Sequence, residues 1–456
     1  MSNPLHVVVL AAGEGQRMRS ARAKVLQPVG GVSMLQRVLL ASAALEPAVV
    51  HVVVGFDADR VRAELAHFAQ AHESPPFNCV EQRERLGTGH AVQQAIEQIP
   101  DQVDVLVLPG DMPLIQPDTL QSLRHAFLTQ RAALTLISFK AEDPTGYGRI
   151  LRDTDGQVRG IREQVDASDA ERAIAEVNSG VLMAADQPLR QALARLGTGN
   201  EQHEYYLTDC VGLLVADGQT VSAVVCADAD ETLGANDPLQ LATLEACWQQ
   251  RATRSLLRQG VRMPMPHTVQ VRGTVVHGRD VSVDAGVIFE GRVELGDDVH
   301  IGTGCVLRDC QLASGTRVEP YCVLEQSTTT GACVIGPYAR LRPGTRVAAD
   351  CKIGNFVEAK NAVFEAGAKA SHLSYVGDAR VGSAANLGAG TITCNYDGQA
   401  KHRTEIGAGA FIGSNAALVA PIRIGDRATI GAGSVITRDA PDDSLTLTRA
   451  RQRSVS

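Results

Sequence analysis

Aliphatic residues recur every six positions through the second half of the chain, from about Val283 onward. Such a period fits neither the turn of an α-helix nor a free hairpin, and it is the hexapeptide signature of a parallel β-helix. A small residue precedes most of these aliphatics by two positions, on the same side of a strand. Large and small side chains would then share a narrow interior. The clearest series of aliphatics is Ile406, Ile412, Leu418, Ile424, Ile430 and Ile436.

Two breaks interrupt this register, between Ile353 and Val376 and between Leu387 and Ile406. We expect loops and functional groups there, because irregular segments of a solenoid commonly carry its sites. Five cysteines occupy the small interior position, and this placement favours core packing over a redox or metal role. They are Cys305, Cys310, Cys322, Cys333 and Cys351.

The first half has a different pattern, in which short apolar runs alternate with segments of helical character. The runs are residues 7–10, 49–54, 103–108 and 134–138, and they predict an α/β domain with a mostly parallel sheet. Asn236-Asp237-Pro238 then predicts the start of one long helix that closes near Gly260. We therefore predict an α/β domain over 1–235, a connecting helix over 236–260 and a β-helix domain over 261–456.

Composition narrows the class of protein. The chain has 43 basic and 51 acidic residues, a net charge of −8, and so no overall nucleic-acid footprint. No run reaches the roughly 20 apolar residues of a membrane span. The start of the chain lacks a basic segment, so we expect no signal peptide and a soluble, cytoplasmic protein. The ten cysteines include no CxxC pair, which argues against a metal ribbon or a secreted disulfide scaffold.

A glycine-rich segment, AAGEGQRM, follows the first apolar run, and Lys24 lies shortly after it. Such a turn lets backbone N–H groups approach a phosphate, and Arg17 and Lys24 would add positive charge. A tight turn without a ligand remains an alternative from these residues alone. Asp111 ends the run at 103–108, where open α/β sheets place metal and ligand groups, although it could also be a simple turn residue.

Ordered motifs along the chain carry a more specific signal. The first half contains LAAGEGQRM, LGTGHA, PGD, PTGYGR, Glu163, VNSG and EYYLTD, and it resembles sugar-1-phosphate nucleotidyltransferases. The second half contains RLRPGT, GNFVEAKN, SHLSYVGDA, NLGAGTITCNYDG and GSN. Together they resemble the bacterial family that combines glucosamine-1-phosphate N-acetyltransferase and N-acetylglucosamine-1-phosphate uridylyltransferase activities. The resemblance implies a Rossmann-like nucleotidyltransferase domain followed by a left-handed β-helix of hexapeptide repeats.

For the first half, the resemblance implies a site for UTP, N-acetylglucosamine-1-phosphate and Mg²⁺. Asp111 and Asn236 would hold Mg²⁺, and Arg17 would act on the triphosphate in the transition state. Ala23 and Pro109 depart from the family's usual proline and tyrosine and leave the local loop geometry open. The other implied contacts to nucleotide and sugar phosphate are Leu10, Ala11, Ala12, Gly13, Lys24, Gln82, Gly87, Thr88, Gly148, Glu163 and Asn178, with Asn236 also counted among them.

For the second half, the resemblance implies acetyl transfer from acetyl-CoA to glucosamine-1-phosphate, with His372 as the base. It also implies a homotrimer in which an inserted loop, about 391–404, completes a neighbour's site. The implied sugar-phosphate contacts are Arg342, Lys360, Tyr375 and Asn386. The implied acetyl-CoA contacts are Ala389, Asn395, Tyr396, Ser414, Ala432 and Arg449.

Two other hypotheses remain open from the sequence. The β-helix could be an oligomerisation module attached to a monofunctional nucleotidyltransferase, or the whole chain could be a scaffold without chemistry. His372, Lys360 and the NYDG segment argue against the first, since a structural solenoid does not require them. Gly13, Lys24 and Asp111 argue against the second.

Overall fold

A computed structural model describes residues 3–448, 450 and 452–455. Contacts divide the chain into two units, 1–248 and 249–456. The predicted boundaries at 235/236 and 260/261 remain a prediction. None of the helices in the described part of the chain is both long and apolar enough to cross a membrane.

The first unit alternates strands with helices, as its apolar runs predict. Its strands are β1 (Leu5–Ala11), β2 (Pro28–Val29), β3 (Val32–Ser33), β4 (Val49–Val54), β5 (Phe77–Glu81), β6 (Asp104–Pro109), β7 (Leu134–Lys140), β8 (Arg149–Arg152), β9 (Val158–Arg162), β10 (Glu176–Ala185) and β11 (Val221–Val225). The helices are α1 (Met34–Ala43), α2 (Ala58–Ala71), α3 (Thr88–Ile96), α4 (Pro117–Gln130), α5 (Asp169–Arg172), α6 (Asp186–Leu193), α7 (Asp209–Ala216) and α8 (Pro238–Arg258).

A nine-stranded sheet organises this unit, with the order β11-β7-β10-β6-β1-β4-β5 and the β8–β9 hairpin attached through β10. Strand β1 runs parallel to both β4 and β6, and β4 runs parallel to β5. Strand β10 is antiparallel to its neighbours β6 and β7. The sheet is therefore mixed, and the ends of β1 and β6 lie side by side.

Helix α8 begins at the predicted proline, Pro238, and ends at Arg258, shortly before Gly260. Within the first unit, Leu244 of this helix packs with Val29 and Met34. Within the second unit, Leu256 joins the core of the β-helix.

The second unit is a left-handed parallel β-helix of hexapeptide repeats, and its short strands stack from coil to coil. One face is a ten-stranded sheet of β13 (Ser282–Val283), β15 (His300–Ile301), β18 (Arg317–Val318), β21 (Val334–Ile335), β24 (Lys352–Asn355), β27 (Lys369–His372), β30 (Asn386–Leu387), β33 (Phe411–Ile412), β36 (Thr429–Ile430) and β38 (Leu445–Thr446).

The remaining strands form a 17-stranded sheet. They are β12 (Gln270–His277), β14 (Ile288–Leu295), β16 (Val306–Arg308), β17 (Gln311–Leu312), β19 (Val323–Glu325), β20 (Thr328–Thr329), β22 (Arg340–Leu341), β23 (Arg346–Val347), β25 (Glu358–Lys360), β26 (Val363–Phe364), β28 (Tyr375–Gly377), β29 (Ala379–Val381), β31 (Ile392–Cys394), β32 (Thr404–Ile406), β34 (Ala417–Val419), β35 (Ile422–Ile424) and β37 (Val435–Ile436).

The core of the β-helix contains the predicted aliphatics and the five predicted cysteines, which are all buried. The prediction of a loop at the first register break is wrong. Interior positions there are filled by Ala359, Phe364 and Ala370, so the coils continue through the break. Two of these side chains are small, and the spacing from Ala359 to Phe364 is one residue shorter than the repeat. At the second break, Thr393 is buried in β31, and residues 395–403 form a loop between β31 and β32.

Candidate active sites

A cavity of about 470 Å³ lies in the first unit, at the ends of β1 and β6. It is bounded by the glycine-rich segment, the start of α3, the β8–β9 hairpin, β10 and α7. The structure brings together eleven of the residues predicted for nucleotide, sugar-phosphate and metal binding. They are Leu10, Ala12, Gly13, Lys24, Gln82, Gly87, Thr88, Asp111, Gly148, Glu163 and Asn178.

Two glycines shape one side of this cavity. Gly15 has φ 65°, and a Cβ on it would lie 2.8 Å from Cβ of Lys24, so the loop wraps closely around the lysine side chain. Gly87 has φ 107°, and a Cβ on it would lie 2.6 Å from the Tyr205 carbonyl oxygen. Helix α3 begins directly after Gly87. The positive end of the helix therefore suits an anion in the cavity, although the N–H of Gly89 already donates to the Tyr205 carbonyl oxygen at 2.7 Å.

Lys24 connects the two predicted metal ligands. Its Nζ lies 2.5 Å from Oδ2 of Asp111 and 3.0 Å from Oδ1 of Asn236. One carboxylate and one amide oxygen thus converge on a cation, and hard oxygen donors are what Mg²⁺ prefers. No group of three or more His, Cys, Asp and Glu side chains suited to a metal occurs among the described residues. The arrangement therefore fits Mg²⁺ with few protein ligands and additional oxygens from substrate phosphates.

Glu163 lines another side of the cavity. Its burial raises the pKa of the carboxyl group, and the Thr208 hydroxyl, which donates a 2.8 Å hydrogen bond to Oε1, opposes this rise. A Cβ on Gly148 would lie 2.8 Å from Ile161 and 3.3 Å from Oε1 of Glu163, so this position has room only for glycine. The result is a carboxylate that faces the cavity and can accept hydrogen bonds from a polyol.

Three predicted residues are not among those that line the cavity: Ala11, Arg17 and Asn236, the last of which contacts Lys24. Ala11 is fully buried in the core of the sheet, and Arg17 is exposed on a 3₁₀ turn, Gln16–Met18. The sequence analysis assigned no role to Thr208 or to Arg85, which also line the cavity. Thr208 belongs to the quoted motif EYYLTD, but its hydrogen bond to Glu163 spans 45 positions and has no local signal.

The second group of predicted residues lies on the β-helix. His372 ends β27, and Ala389, Ser414 and Ala432 follow the next three strands of the same face, one in each coil. Backbone hydrogen bonds join these corners: the N–H of Asn415 donates to Ala389 O at 2.8 Å. The N–H of Gly433 likewise donates to Ser414 O at 2.8 Å. The four residues therefore line one edge of the prism.

Positive charge gathers on the β-helix where β22 and β25 end and in the 395–403 loop. Lys360 has a lowered pKa, first because it is close to the Lys401 ammonium and also because of Arg342. Arg342 also forms a 2.9 Å ion pair with Glu358. Like charges that the fold holds close together provide a binding place for an anion.

Tyr375 and Asn395 both flank Gly377 of β28. The Asn395 Nδ2 donates a 2.5 Å hydrogen bond to Oδ2 of Asp378, which ties the start of the 395–403 loop to the coil below. Tyr396 is 60% exposed in this loop. Asn386 lies opposite Lys369 at the start of β30 and not beside His372. Arg449 lies outside the described residues.

Among the described residues, His372 has one side-chain hydrogen-bond partner. Its Nδ1 lies 2.7 Å from Oδ1 of Asn355, which is directly opposite in the preceding coil. This contact was not predicted from the sequence.

The fold and the two groups of residues define a class: a nucleotidyltransferase joined to a hexapeptide-repeat transferase. Residues 7–263 match the family model of the MobA-like NTP transferase domain. Residues 403–438 match the model of the bacterial transferase hexapeptide with six repeats.

Curated relatives extend this likeness to the whole chain. A protein from Alkalilimnicola ehrlichii is 52% identical over 455 residues, covering 100% of this chain and 96% of the relative. A protein from Stenotrophomonas maltophilia K279a is 50% identical over 455 residues, covering 100% of this chain and 98% of the relative. Both carry the name bifunctional protein GlmU. The chain belongs to this family of bifunctional enzymes, which have uridylyltransferase and acetyltransferase activities, and the two alternatives left open by the sequence are thereby set aside.

Proposed function

We propose that the β-helix acetylates glucosamine-1-phosphate from acetyl-CoA, and that the first unit then transfers UMP from UTP to the product. The second step gives UDP-N-acetylglucosamine, a cell-wall precursor, and pyrophosphate. The observation that carries this proposal is the presence of two chemically different sites on one chain. One is a cavity with convergent oxygen donors and a lysine, and the other lies on the β-helix, which carries a histidine held by Asn355 and a cluster of positive charge.

In the cavity, catalysis depends on positioning and on charge neutralisation, because the sugar phosphate attacks the α-phosphorus in line with the leaving pyrophosphate. Lys24 and the N–H groups at the start of α3 contact phosphate oxygens. Asp111 and Asn236 hold Mg²⁺, which when bound neutralises charge on the phosphates. Glu163 and Asn178 hold the N-acetylglucosamine moiety. Arg17 reaches the triphosphate from the rim.

On the β-helix, the free amine of glucosamine-1-phosphate attacks the thioester carbonyl. The N–C bond forms, the C–S bond breaks, and the proton lost from nitrogen passes to His372 and then to the departing coenzyme A thiolate. A histidine is suited to this step near neutral pH. Arg342 and Lys360 bind the phosphate of the sugar. Tyr375 and Asn386 contact the sugar.

The acetyl-CoA groove runs along the edge formed by Ala389, Ser414 and Ala432. Asn395 and Tyr396 approach it from the inserted loop, and Arg449 belongs to the same proposed set. Cys394 is free and half-buried, and direct attack by the amine needs no acetylated cysteine.

We further propose a homotrimer in the cytoplasm, where UTP and acetyl-CoA are available. Support for oligomerisation comes from a stacked aromatic ladder on the outside of the β-helix. Tyr321 and Tyr338 stack with ring centroids 5.2 Å apart, and Tyr338 and Phe356 with centroids 5.3 Å apart. All three are about half exposed, and a second copy of the chain would cover them.

The first experiment measures coenzyme A release, by a thiol reagent, with and without glucosamine-1-phosphate, and pyrophosphate release in the same preparation. His372→Ala should abolish the first activity and leave the second near normal, and Asp111→Ala should do the reverse. Equal loss of both activities in either variant would contradict two independent sites. Full uridylyl transfer in Asp111→Ala would remove this residue from the metal site.

A further inference from the structure

Asn355 and His372 meet because of backbone register. Asn355 ends β24 and His372 ends β27, and the parallel pairing places the two residues directly opposite each other. A Cβ on the preceding Gly354 would overlap the Ser371 carbonyl group, so only glycine allows the coils to approach this closely. The half-buried amide of Asn355 is thereby held against the imidazole, with Oδ1 and Nδ1 2.7 Å apart.

The backbone around His372 is fixed on both sides. The N–H of Leu373 donates to the Asn355 carbonyl oxygen at 3.0 Å. The buried Ser374 hydroxyl donates to the His372 carbonyl oxygen at 2.8 Å. The rotation of the imidazole is then set by the one side-chain contact, to Asn355.

An amide oxygen only accepts hydrogen bonds. Its contact with Nδ1 therefore requires the proton on Nδ1, and it leaves the lone pair of Nε2 free. That is the tautomer a general base needs if the substrate amine approaches Nε2, since the hydrogen bond at one ring nitrogen decides the state of the other.

We propose that Asn355 is a positioning residue for acetyl transfer, which selects the Nδ1–H tautomer of His372 and aims Nε2 at the attacking amine. This inference rests on the proposed role of His372. A neutral amide orients the ring without stabilising its charged form, whereas a carboxylate at the same place would favour imidazolium. The imidazole can then pass its proton on to the leaving thiolate.

The test compares Asn355→Ala and Asn355→Asp with the full-length protein, by coenzyme A release as a function of pH. Asn355→Ala should lower kcat about tenfold, the effect of one lost hydrogen bond to a reacting group, with both KM values unchanged. Asn355→Asp still accepts from Nδ1–H, so it should keep kcat at alkaline pH. Its acid limb should move to higher pH by about one unit, because the carboxylate favours the protonated ring.

Lys352→Ala is the matched control, since Lys352 is exposed on the same strand and lies opposite Lys369, not His372. It should have wild-type kinetics. Normal uridylyl transfer in every variant shows that the first unit is folded, and an unchanged melting temperature of the β-helix shows the same for the second unit.

Two results would overturn the inference while His372→Ala remains inactive in acetyl transfer. One is a wild-type kcat in Asn355→Ala. The other is a kcat in Asn355→Asp that is reduced as much as in Asn355→Ala at every pH, as a purely structural role would predict. If His372→Ala still acetylates, the proposed function fails, and this inference fails with it.

Discussion

Gly377→Ala should damage acetyl transfer and leave uridylyl transfer intact. Gly377 is buried in β28, and its φ lies outside the left-handed region, so alanine is allowed by the backbone. A Cβ here would nevertheless lie 2.5 Å from the Tyr375 hydroxyl and 2.8 Å from Nδ2 of Asn395. The perturbation therefore acts directly on two proposed substrate contacts.

The magnitude follows from these distances. Ordinary van der Waals contact begins at 3.4 Å, so the Tyr375 hydroxyl must withdraw by about 0.9 Å and Nδ2 of Asn395 by about 0.6 Å. Overpacking of a core typically costs about 1–3 kcal/mol, but the half-buried Tyr375 can yield and relieve most of it. A displacement of about 1 Å in a positioning group can cost about 100-fold in rate. We expect a loss of about 10- to 100-fold in kcat/KM for acetyl transfer, with little change in thermal stability.

The assay measures coenzyme A release and pyrophosphate release from one preparation. In a Tyr375→Ala background the ring is absent, so adding Gly377→Ala should lower kcat/KM for acetyl transfer by a smaller factor than it does in the wild type. Gly160→Ala is the control, because a Cβ on this strand glycine meets nothing within 4 Å and its φ is also outside the left-handed region. Wild-type acetyl transfer in Gly377→Ala, or an equal loss in both backgrounds, would refute the reasoning.

Three further changes test other parts of the chain. Thr208→Val removes the hydrogen bond that opposes the raised pKa of Glu163, so the acid limb of uridylyl transfer should move to higher pH in a pH–rate profile. Burial lowers the pKa of His51 from 6.5 to about 4, and the neighbouring His6 adds to this shift. The free energy of unfolding should therefore fall as the pH drops from 6.5 to about 4, because the unfolded chain binds the proton more readily. The melting temperature of His51→Gln should change less with pH over this range than that of the wild type. Phe364→Ala empties a core position that is 1% exposed and should cost about 3–5 kcal/mol, seen as a lower melting temperature of the β-helix.

The fold was predictable where a period or an apolar run is long. The six-residue repeat and the runs of β1, β4, β6 and β7 each correspond to strands. The antiparallel β10 was not predictable, because it enters the sheet between β6 and β7, and chain order does not give the order of neighbours in a sheet.

The first register break shows a different limit. Interior positions at Ala359 and Ala370 are occupied by small residues, so an aliphatic pattern loses the register although the coil continues. This loss also hid the contact between Asn355 and His372. Residues one coil apart are neighbours in a β-helix, but only a register carried through the break identifies which ones.

The two sites also differ in how charge is balanced before substrate binds. At the cavity, the Lys24 ammonium pairs with Asp111 and contacts Asn236, so positive and negative groups offset each other. On the β-helix, Lys401 and Arg342 lower the pKa of Lys360 although Asp378 opposes the shift and Glu358 pairs with Arg342, so the positive charges outweigh the negative ones there. A dianionic sugar phosphate would supply the missing negative charge. Rising ionic strength should therefore weaken binding of glucosamine-1-phosphate at the proposed acetyltransferase site more than binding of substrates in the cavity. The reason is that screening acts most strongly on exposed charge.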